Sequence, residues 1–147
     1  MDWSYFAGFF DGEGCIAITK TQTGIQFRLC LAASKMEQLE SCAEFLRSQE
    51  VHFTWTTIKS RGIGWGHGAT CLVIYQRKSL RIVLERVTPF LVLKQPQCEI
   101  LGRALNLQQQ LKSEGKVIIQ NLQGFDILRR ELHQHNHKGP RLLKEWK

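Results

Sequence analysis

Two runs of alternating apolar and polar residues, joined by a short turn, constrain the fold of this chain more than any other feature. Residues 15–21 and 26–32 place every second side chain on one face of an extended strand, and Thr23-Gly24 lies between them. Such a pattern is typical of a β-hairpin with one buried face. The inward set is Ile16, Ile18, Phe27, Leu29 and Leu31. The outward set is Ala17, Thr19, Thr21, Gln26, Arg28 and Cys30.

Helical and extended patterns alternate along the rest of the chain. A first helix begins at Asp2 or Ser4 and ends near Gly12, and a second is capped by Ser34 with Glu37 at the capping-box position. A second hairpin covers 51–59 and 70–76, and later helices cover 79–87, 97–113 and 125–135. The order α-β-β-α-β-β-α, with added helices, predicts an α+β fold: a four-stranded antiparallel sheet covered by helices on one face, with the other face polar.

Length and charge indicate one domain with a polyanionic partner. The 147 residues are long enough for a single core, predicted over 1–147, with a basic C-terminal tail at 136–147. Residues 1–50 hold 4 basic and 7 acidic residues (4 − 7 = −3), and 51–147 hold the remaining 16 and 6 (16 − 6 = +10). This asymmetry favours nucleic acid over an anionic membrane, although charge alone also fits an ordinary basic protein.

The cysteines and the hydropathy pattern exclude other classes. Five scattered cysteines without a CxxC pair indicate reduced thiols rather than a disulfide framework or a zinc site. We expect an intracellular protein, in the cytoplasm of a prokaryote or in an organelle. No apolar run reaches the ~20 residues of a membrane span, so no membrane partner is predicted.

The segment FAGFFDGEG, at 6–14, combines close-packing glycines with two acids. Gly8 and Gly12 lie four residues apart on one side of a helix, where small residues allow a second helix to approach closely. Asp11 and Glu13 fall at the helix C-terminus, where the helix dipole disfavours carboxylates. A hard divalent cation, bound by the Glu13 carboxylate and the Gly14 carbonyl, would remove that conflict.

These residues resemble the motif of the LAGLIDADG homing endonucleases, with Phe6 in the leucine position and Glu13 in the final acid position. A second segment, PFLVLKQPQ at 89–97, resembles the family's segment that carries an active-site lysine, here Lys94. The order of helices and strands is also that of the family. The resemblance thus covers most of the chain and implies a sheet that forms a DNA-binding saddle.

The resemblance implies a site-specific endonuclease that cuts both strands of a long, partly palindromic DNA site as a homodimer, with no small-molecule substrate. It assigns the metal, Mg²⁺ or another divalent cation such as Mn²⁺, to Glu13 with Gly14 as companion ligand. Lys94 is the catalytic cation, and Ser34 or Lys35 is the nearest match to a polar residue after the second strand. Asp11 is expected to be structural. The predicted dimer interface is Phe6, Gly8, Phe9 and Gly12.

The outward sheet face is the predicted DNA-binding surface. Arg28 and Gln26 are shaped for bidentate contacts to guanine and adenine, whereas Lys59 and Arg61 are expected to grip phosphate. The full predicted set is Ala17, Thr19, Thr21, Gln22, Gln26, Arg28, Thr54, Thr56, Lys59, Arg61, Thr70 and Tyr75.

Two other function classes remain open from the sequence. One is a non-cleaving nucleic-acid binder on the same scaffold, such as an intron RNA maturase or a DNA-binding regulator. The other is a basic α+β interaction protein with no nucleic-acid partner, in which Lys94 is only a surface lysine. The imidazoles of HQHNH, at 133–137, are interpreted as solvated or near phosphate rather than as metal ligands.

Overall fold

A computed structural model describes residues 1–58 and 69–136 of the chain. The elements, in chain order, are α1 (Trp3–Glu13), β1 (Gly14–Lys20), β2 (Ile25–Ala32), α2 (Met36–Ser48), β3 (Thr54–Ile58), β4 (Ala69–Ile74), α3 (Arg77–Val87), α4 (Gln95–Ser113) and α5 (Gln123–His135). Short 3₁₀ turns at Thr88–Phe90 and Ile118–Gln120 lie before and after α4. The predicted α-β-β-α-β-β-α order with added helices is confirmed.

The four strands form one antiparallel sheet in the order β1-β2-β4-β3. Ala17 is paired with Arg28 in the first hairpin, and Thr56 is paired with Cys71 in the second. The two hairpins meet where Leu31 is paired with Leu72. Directly opposed residues share a face, so this register assigns every side chain of the sheet to one side or the other.

The core lies between the sheet and the helices. All five residues predicted to face inward from the first hairpin are buried, and Leu72 and Ile74 join them from β4. Phe125 of α5 packs its ring 6.1 Å from that of Phe27, measured between ring centroids. Burial of a large apolar side chain contributes roughly 1.5–3 kcal/mol, so this layer is the main source of stability.

The helix ends follow local chemistry, with two corrections. Asp2, one of the two predicted starts, caps α1 by accepting a hydrogen bond from the Tyr5 N–H at 2.8 Å. Ser34 does not cap α2, because that helix begins at Met36 and its N-cap position is Lys35, without a side-chain bond. α3 begins at Arg77, two residues before the predicted start at Ser79, and the buried Ser79 Oγ instead accepts a hydrogen bond from the His52 N–H at 2.9 Å.

The C-terminal helices pack on each other and on β1. The Arg103 guanidinium forms an exposed ion pair with Glu131 at 2.9 Å, between α4 and α5. His133 and His135 belong to the last turn of α5, and the Asn136 side chain donates to the Ile16 carbonyl at 3.4 Å. The rest of the predicted tail, 137–147, lies outside the described residues. Within the described ranges, no helix is long and apolar enough to cross a membrane.

Candidate active site and nucleic-acid interface

Asp11 connects the motif segment at 6–14 to the lysine-bearing segment at 89–97. Its carboxylate is buried and accepts three backbone hydrogen bonds, from the N–H groups of Val92 (2.7 Å), Leu93 (3.0 Å) and Lys94 (2.8 Å). Burial raises the pKa of Asp11, but these three donors and the charge of Lys94 outweigh that effect and hold the pKa below its ordinary value. Asp11 is therefore a structural residue, as expected, and it fixes the start of α4.

Lys94 lies at the C-terminal end of α1. Its ammonium donates a hydrogen bond to the backbone carbonyl of Asp11 and lies 5.9 Å from the centroid of the Phe10 ring. A cation at a helix C-terminus is stabilised by the helix dipole. The Lys94 ammonium therefore offsets part of the unfavourable negative charge at this helix end, which a metal ion alone was expected to offset.

Glu13 and Gly14 mark the junction of α1 and β1. The Glu13 side chain is exposed and has no hydrogen-bond or ion-pair partner in the part of the chain that the structure describes. A Cβ at Gly14 would overlap the Phe10 ring, so the tight turn from helix to strand requires glycine here. The junction thus offers one free carboxylate and a main-chain carbonyl, the oxygen donors that hard divalent cations prefer.

Ser34 and Lys35 lie at the same end of the sheet as this junction. Gly14 is directly opposite Leu31, so the link that leaves β2 at residues 33–35 begins beside the start of β1. Both side chains are exposed. The structure therefore places Lys94 against the last turn of α1, the helix that ends at Glu13, and leaves Ser34 and Lys35 at the adjoining strand end.

One face of α1 is turned away from the core. Tyr5 is 61% exposed, Gly8 and Gly12 are exposed, and Phe9 is half-buried. A Cβ built at Gly8 or Gly12 meets no atom within 4 Å, so nothing inside the described chain requires glycine at either position. Phe6 is the correction to the predicted interface set: it is 0% exposed and packs its ring against Trp3 and Phe45, so it belongs to the core.

A second exposed apolar segment adjoins this face. Val92 is 81% exposed and Leu93 is 69% exposed, and the bonds from their N–H groups to Asp11 place them beside the C-terminal end of α1. The exposure of these two apolar side chains was not predicted from the sequence. The sequence feature that could have indicated this exposure is the apolar run before Lys94, because it has neither helical nor strand periodicity.

The open face of the sheet carries six of the twelve residues predicted to bind DNA. Arg28 stands opposite Ala17, and Gln26 stands opposite Thr19, all half-buried on the outward face. Among the described residues, the Arg28 Nε is buried without a hydrogen-bond partner. Thr54 and Thr56 have the same outward orientation, because they oppose Val73 and Cys71.

The remaining predicted contacts differ. Thr70, which was predicted to bind DNA, opposes Thr57 and points to the same side of β4 as the inward residue Leu72, so it does not lie on the open face. Tyr75 follows the end of β4, is 38% exposed, and packs its ring edge-to-face against His52. Thr21 and Gln22 lie in the turn after β1. The predicted phosphate contacts Lys59 and Arg61 lie outside the described residues.

Solved structures provide the comparison for this arrangement; protein-family models and curated proteins gave no match. The archaeal intron-encoded homing endonuclease I-Vdi141I, complexed with DNA, is 17% identical with a TM-score of 0.71, over 97% of this chain and 88% of that chain. The homing endonuclease I-CvuI, in complex with the I-CreI target, is 18% identical with a TM-score of 0.66, over 96% and 85%. The LAGLIDADG meganuclease I-AabMI, bound to uncleaved DNA, is 20% identical with a TM-score of 0.63, over 90% and 44%. The chain therefore has the LAGLIDADG homing endonuclease fold.

Proposed function

We propose that this protein is a site-specific, divalent-metal-dependent DNA endonuclease that acts as a homodimer on a long, partly palindromic site. The observation that carries the proposal is the corner where α1 meets β1. There Asp11 binds both the backbone N–H and the ammonium of Lys94, and α1 ends two residues later at the exposed carboxylate of Glu13. The DNA complexes of I-Vdi141I and I-CvuI support a DNA-binding role for the shared fold.

The residues at this corner fit a divalent cation. Glu13 and the Gly14 carbonyl would hold Mg²⁺ or Mn²⁺, which binds proteins through few ligands and takes further oxygens from water and phosphate. The bound ion would supply an activated water and neutralise charge on the scissile phosphate. Lys94 supplies a fixed positive charge close to where negative charge develops. Ser34 or Lys35 orients water at the adjoining strand end.

One chain supplies one motif acid, so two strands of DNA require two copies. The exposed face of α1, defined by Tyr5, Gly8, Phe9 and Gly12, is the proposed contact between them. Its glycines allow two helix backbones to approach closely. A two-fold axis along this face would bring both Glu13 carboxylates close to the centre of the site. I-AabMI supports a paired arrangement, because this chain matches only 44% of that longer chain.

The open sheet face is the proposed DNA-reading surface. β1 and β2 have 7 and 8 residues, which span about 25 Å at ~3.3 Å per residue. Two subunits then span about 50 Å, or roughly fifteen base pairs at ~3.4 Å per step. Arg28 has the bidentate geometry that reads guanine. Acidic residues of α2 lie on the opposite side of the sheet from this face.

The test is a cleavage assay on a library of duplex DNA in Mg²⁺, in Mn²⁺ and in EDTA. We expect discrete fragments that require the metal and that disappear in Glu13→Gln and Lys94→Met. Glu44→Gln on α2 and Lys112→Met on α4 are matched controls, because both side chains are exposed and lie far along the chain from the corner. Cleavage by Glu13→Gln at the wild-type rate would contradict the assignment.

A second candidate is a non-cleaving nucleic-acid binder, such as an RNA maturase or a DNA-binding regulator. The observation that favours it is the hydrogen bond from the Lys94 ammonium to the Asp11 carbonyl, which gives Lys94 a purely structural use. The same assay separates the two candidates. DNA or RNA retained by the protein, with no metal-dependent fragments from any duplex, would favour the binder.

A further inference from the structure

Three of the five cysteines lie on the open face of the sheet. Cys15 on β1 stands directly opposite Cys30 on β2, and Cys71 on β4 stands opposite Ala32. Directly opposed residues of an antiparallel pair point to the same side, so the Cys15 and Cys30 side chains are neighbours. All five cysteines are free thiols in the structure.

The backbone register suits a bond between Cys15 and Cys30 and not one to Cys71. The Thr21 N–H donates to the Gly24 carbonyl at 2.8 Å, and in this register every second pair, including Cys15–Cys30, is then hydrogen-bonded. The Cα atoms of such a pair lie about 5.5 Å apart, inside the range of about 4.4–6.8 Å that disulfides require. Their Cβ atoms, about 5.5 Å apart, must approach by roughly 1–2 Å to reach disulfide spacing. Cys71 is diagonal to Cys30, because Cys30 opposes Val73, and diagonal neighbours lie about 7–8 Å apart.

Exposure gives the two thiols different roles. Cys15 is exposed, Cys30 is half-buried, and Cys71 is 2% exposed, so an oxidant in solution reaches Cys15 first. Burial, followed by the neighbouring thiol of Cys15, raises the pKa of Cys30 to about 11. Cys30 therefore stays protonated and unreactive toward oxidants in solution. Its side chain stands opposite that of Cys15 on the same face, and the Cys15 Sγ, which donates to the Ile16 carbonyl at 3.7 Å, must turn toward Cys30 for the two sulfurs to meet.

We propose that Cys15 and Cys30 are a redox modification site, which a hydroperoxide converts to a reversible disulfide across the first hairpin. The Cys15 sulfur attacks the peroxide, the O–O bond breaks, and Cys15 becomes a sulfenic acid while the first water leaves. The Cys30 sulfur then attacks the Cys15 sulfur, the S–O bond breaks, and the second water leaves with the Cys30 proton. Two thiols and one hydrogen peroxide thus give one disulfide and two waters.

The bond has a consequence for the sheet face, and this consequence rests on the proposed function. Cys15 directly follows Gly14, so drawing Cys15 toward β2 also moves the Glu13–Gly14 junction. The Cys15–Cys30 pair is two residues from the Ala17–Arg28 pair on the same face. Oxidation should therefore lower both duplex-DNA binding and cleavage, and a dithiol reductant should restore them.

The experiment treats the reduced full chain with hydrogen peroxide, alkylates the remaining thiols under denaturing conditions, and maps the peptides by mass spectrometry. We expect loss of two of the five alkylatable thiols and a peptide that links Cys15 to Cys30. Cys15→Ser and Cys30→Ser should each abolish the link, whereas the matched variant Cys71→Ser should retain it. Dithiothreitol should restore all five thiols.

Several results would overturn the proposal. They are five alkylated thiols after oxidation, a link that involves Cys71, a link only between chains, and Cys15 oxidised without any link. A parallel reaction with saturating sheared duplex DNA separates this proposal from the proposed function. If the Cys15–Cys30 link forms equally fast with and without DNA, the disulfide stands and the assignment of this face to DNA fails.

Discussion

Asp11→Asn is the substitution that tests most directly how the two halves of the candidate active site are joined. In the wild type, one carboxylate accepts three main-chain N–H groups at 2.7, 3.0 and 2.8 Å. The asparagine side chain has nearly the same shape but only one acceptor oxygen, and its amino group donates rather than accepts. The substitution therefore removes acceptors without leaving a cavity.

The magnitude follows from the bonds that asparagine cannot make. Its oxygen can take the position that accepts from Val92 and Leu93, but the Lys94 N–H then faces another donor. A hydrogen bond to a charged group contributes roughly 1.5–3 kcal/mol, and a buried donor left unpaired costs about 1–3 kcal/mol. Adding the weaker bonds at the other two N–H groups, we expect the free energy of unfolding to fall by about 3 kcal/mol.

The dependence on pH identifies the carboxylate as the cause. The pKa of Asp11 is lowered in the folded protein, so its stabilisation is fully present above the ordinary aspartate pKa of about 3.9 and is lost as the pH falls through the folded value. Asparagine does not titrate. The difference in unfolding free energy between wild type and variant should be constant from about pH 5 upward and should shrink below about pH 4.

Urea denaturation, followed by circular dichroism across this pH range, measures the difference. Glu13→Gln is the matched control, because Glu13 is an exposed carboxylate on the same helix and its substitution should change stability by less than about 0.5 kcal/mol. An Asp11→Asn variant as stable as wild type at neutral pH, or one whose deficit is independent of pH, would refute the reasoning.

Four further predictions concern the same surfaces. Glu13→Gln should bind its DNA target as the wild type does but should not cleave it in Mg²⁺, and gel-shift and cleavage assays on one duplex compare the two. Gly12→Leu should fold, since a Cβ meets nothing within 4 Å, but should sediment as a monomer; an unchanged dimer would exclude this helix face as the interface. Phe6→Ala should lower the free energy of unfolding by about 3–5 kcal/mol through loss of core packing, and an effect on assembly alone would contradict its burial. Arg28→Ala should relax base preference at one symmetric pair of positions by roughly 1–3 kcal/mol. Lys59→Ala should instead weaken binding to all sequences and lower the slope of log affinity against log salt concentration by about one. An unchanged preference profile for Arg28→Ala would show that this side chain reads no base.

Local periodicity by itself determined the fold class and the faces of the first hairpin. An inward residue on a strand is specified by alternation along the chain, and Ile16, Ile18 and Leu29 are buried as that pattern requires. The two motif segments likewise identified Glu13 and Lys94 as candidates, because a resemblance in sequence needs no knowledge of distance. Helix starts were less well determined, and the cap of α2 was placed one residue early at Ser34 rather than Lys35.

Contacts between residues far apart in the chain were decided only by the tertiary structure. The carboxylate of Asp11 binds N–H groups about eighty residues away, and no pattern near Asp11 specifies that partner. The packing of α1 buries Phe6 while leaving Tyr5 and Gly12 exposed. Tyr5 and Phe6 are neighbouring aromatic residues, and their different burial depends on what covers each side of the helix. The pairing of Cys15 with Cys30 depends on the register of two strands, which is set when their inward residues enter a common core.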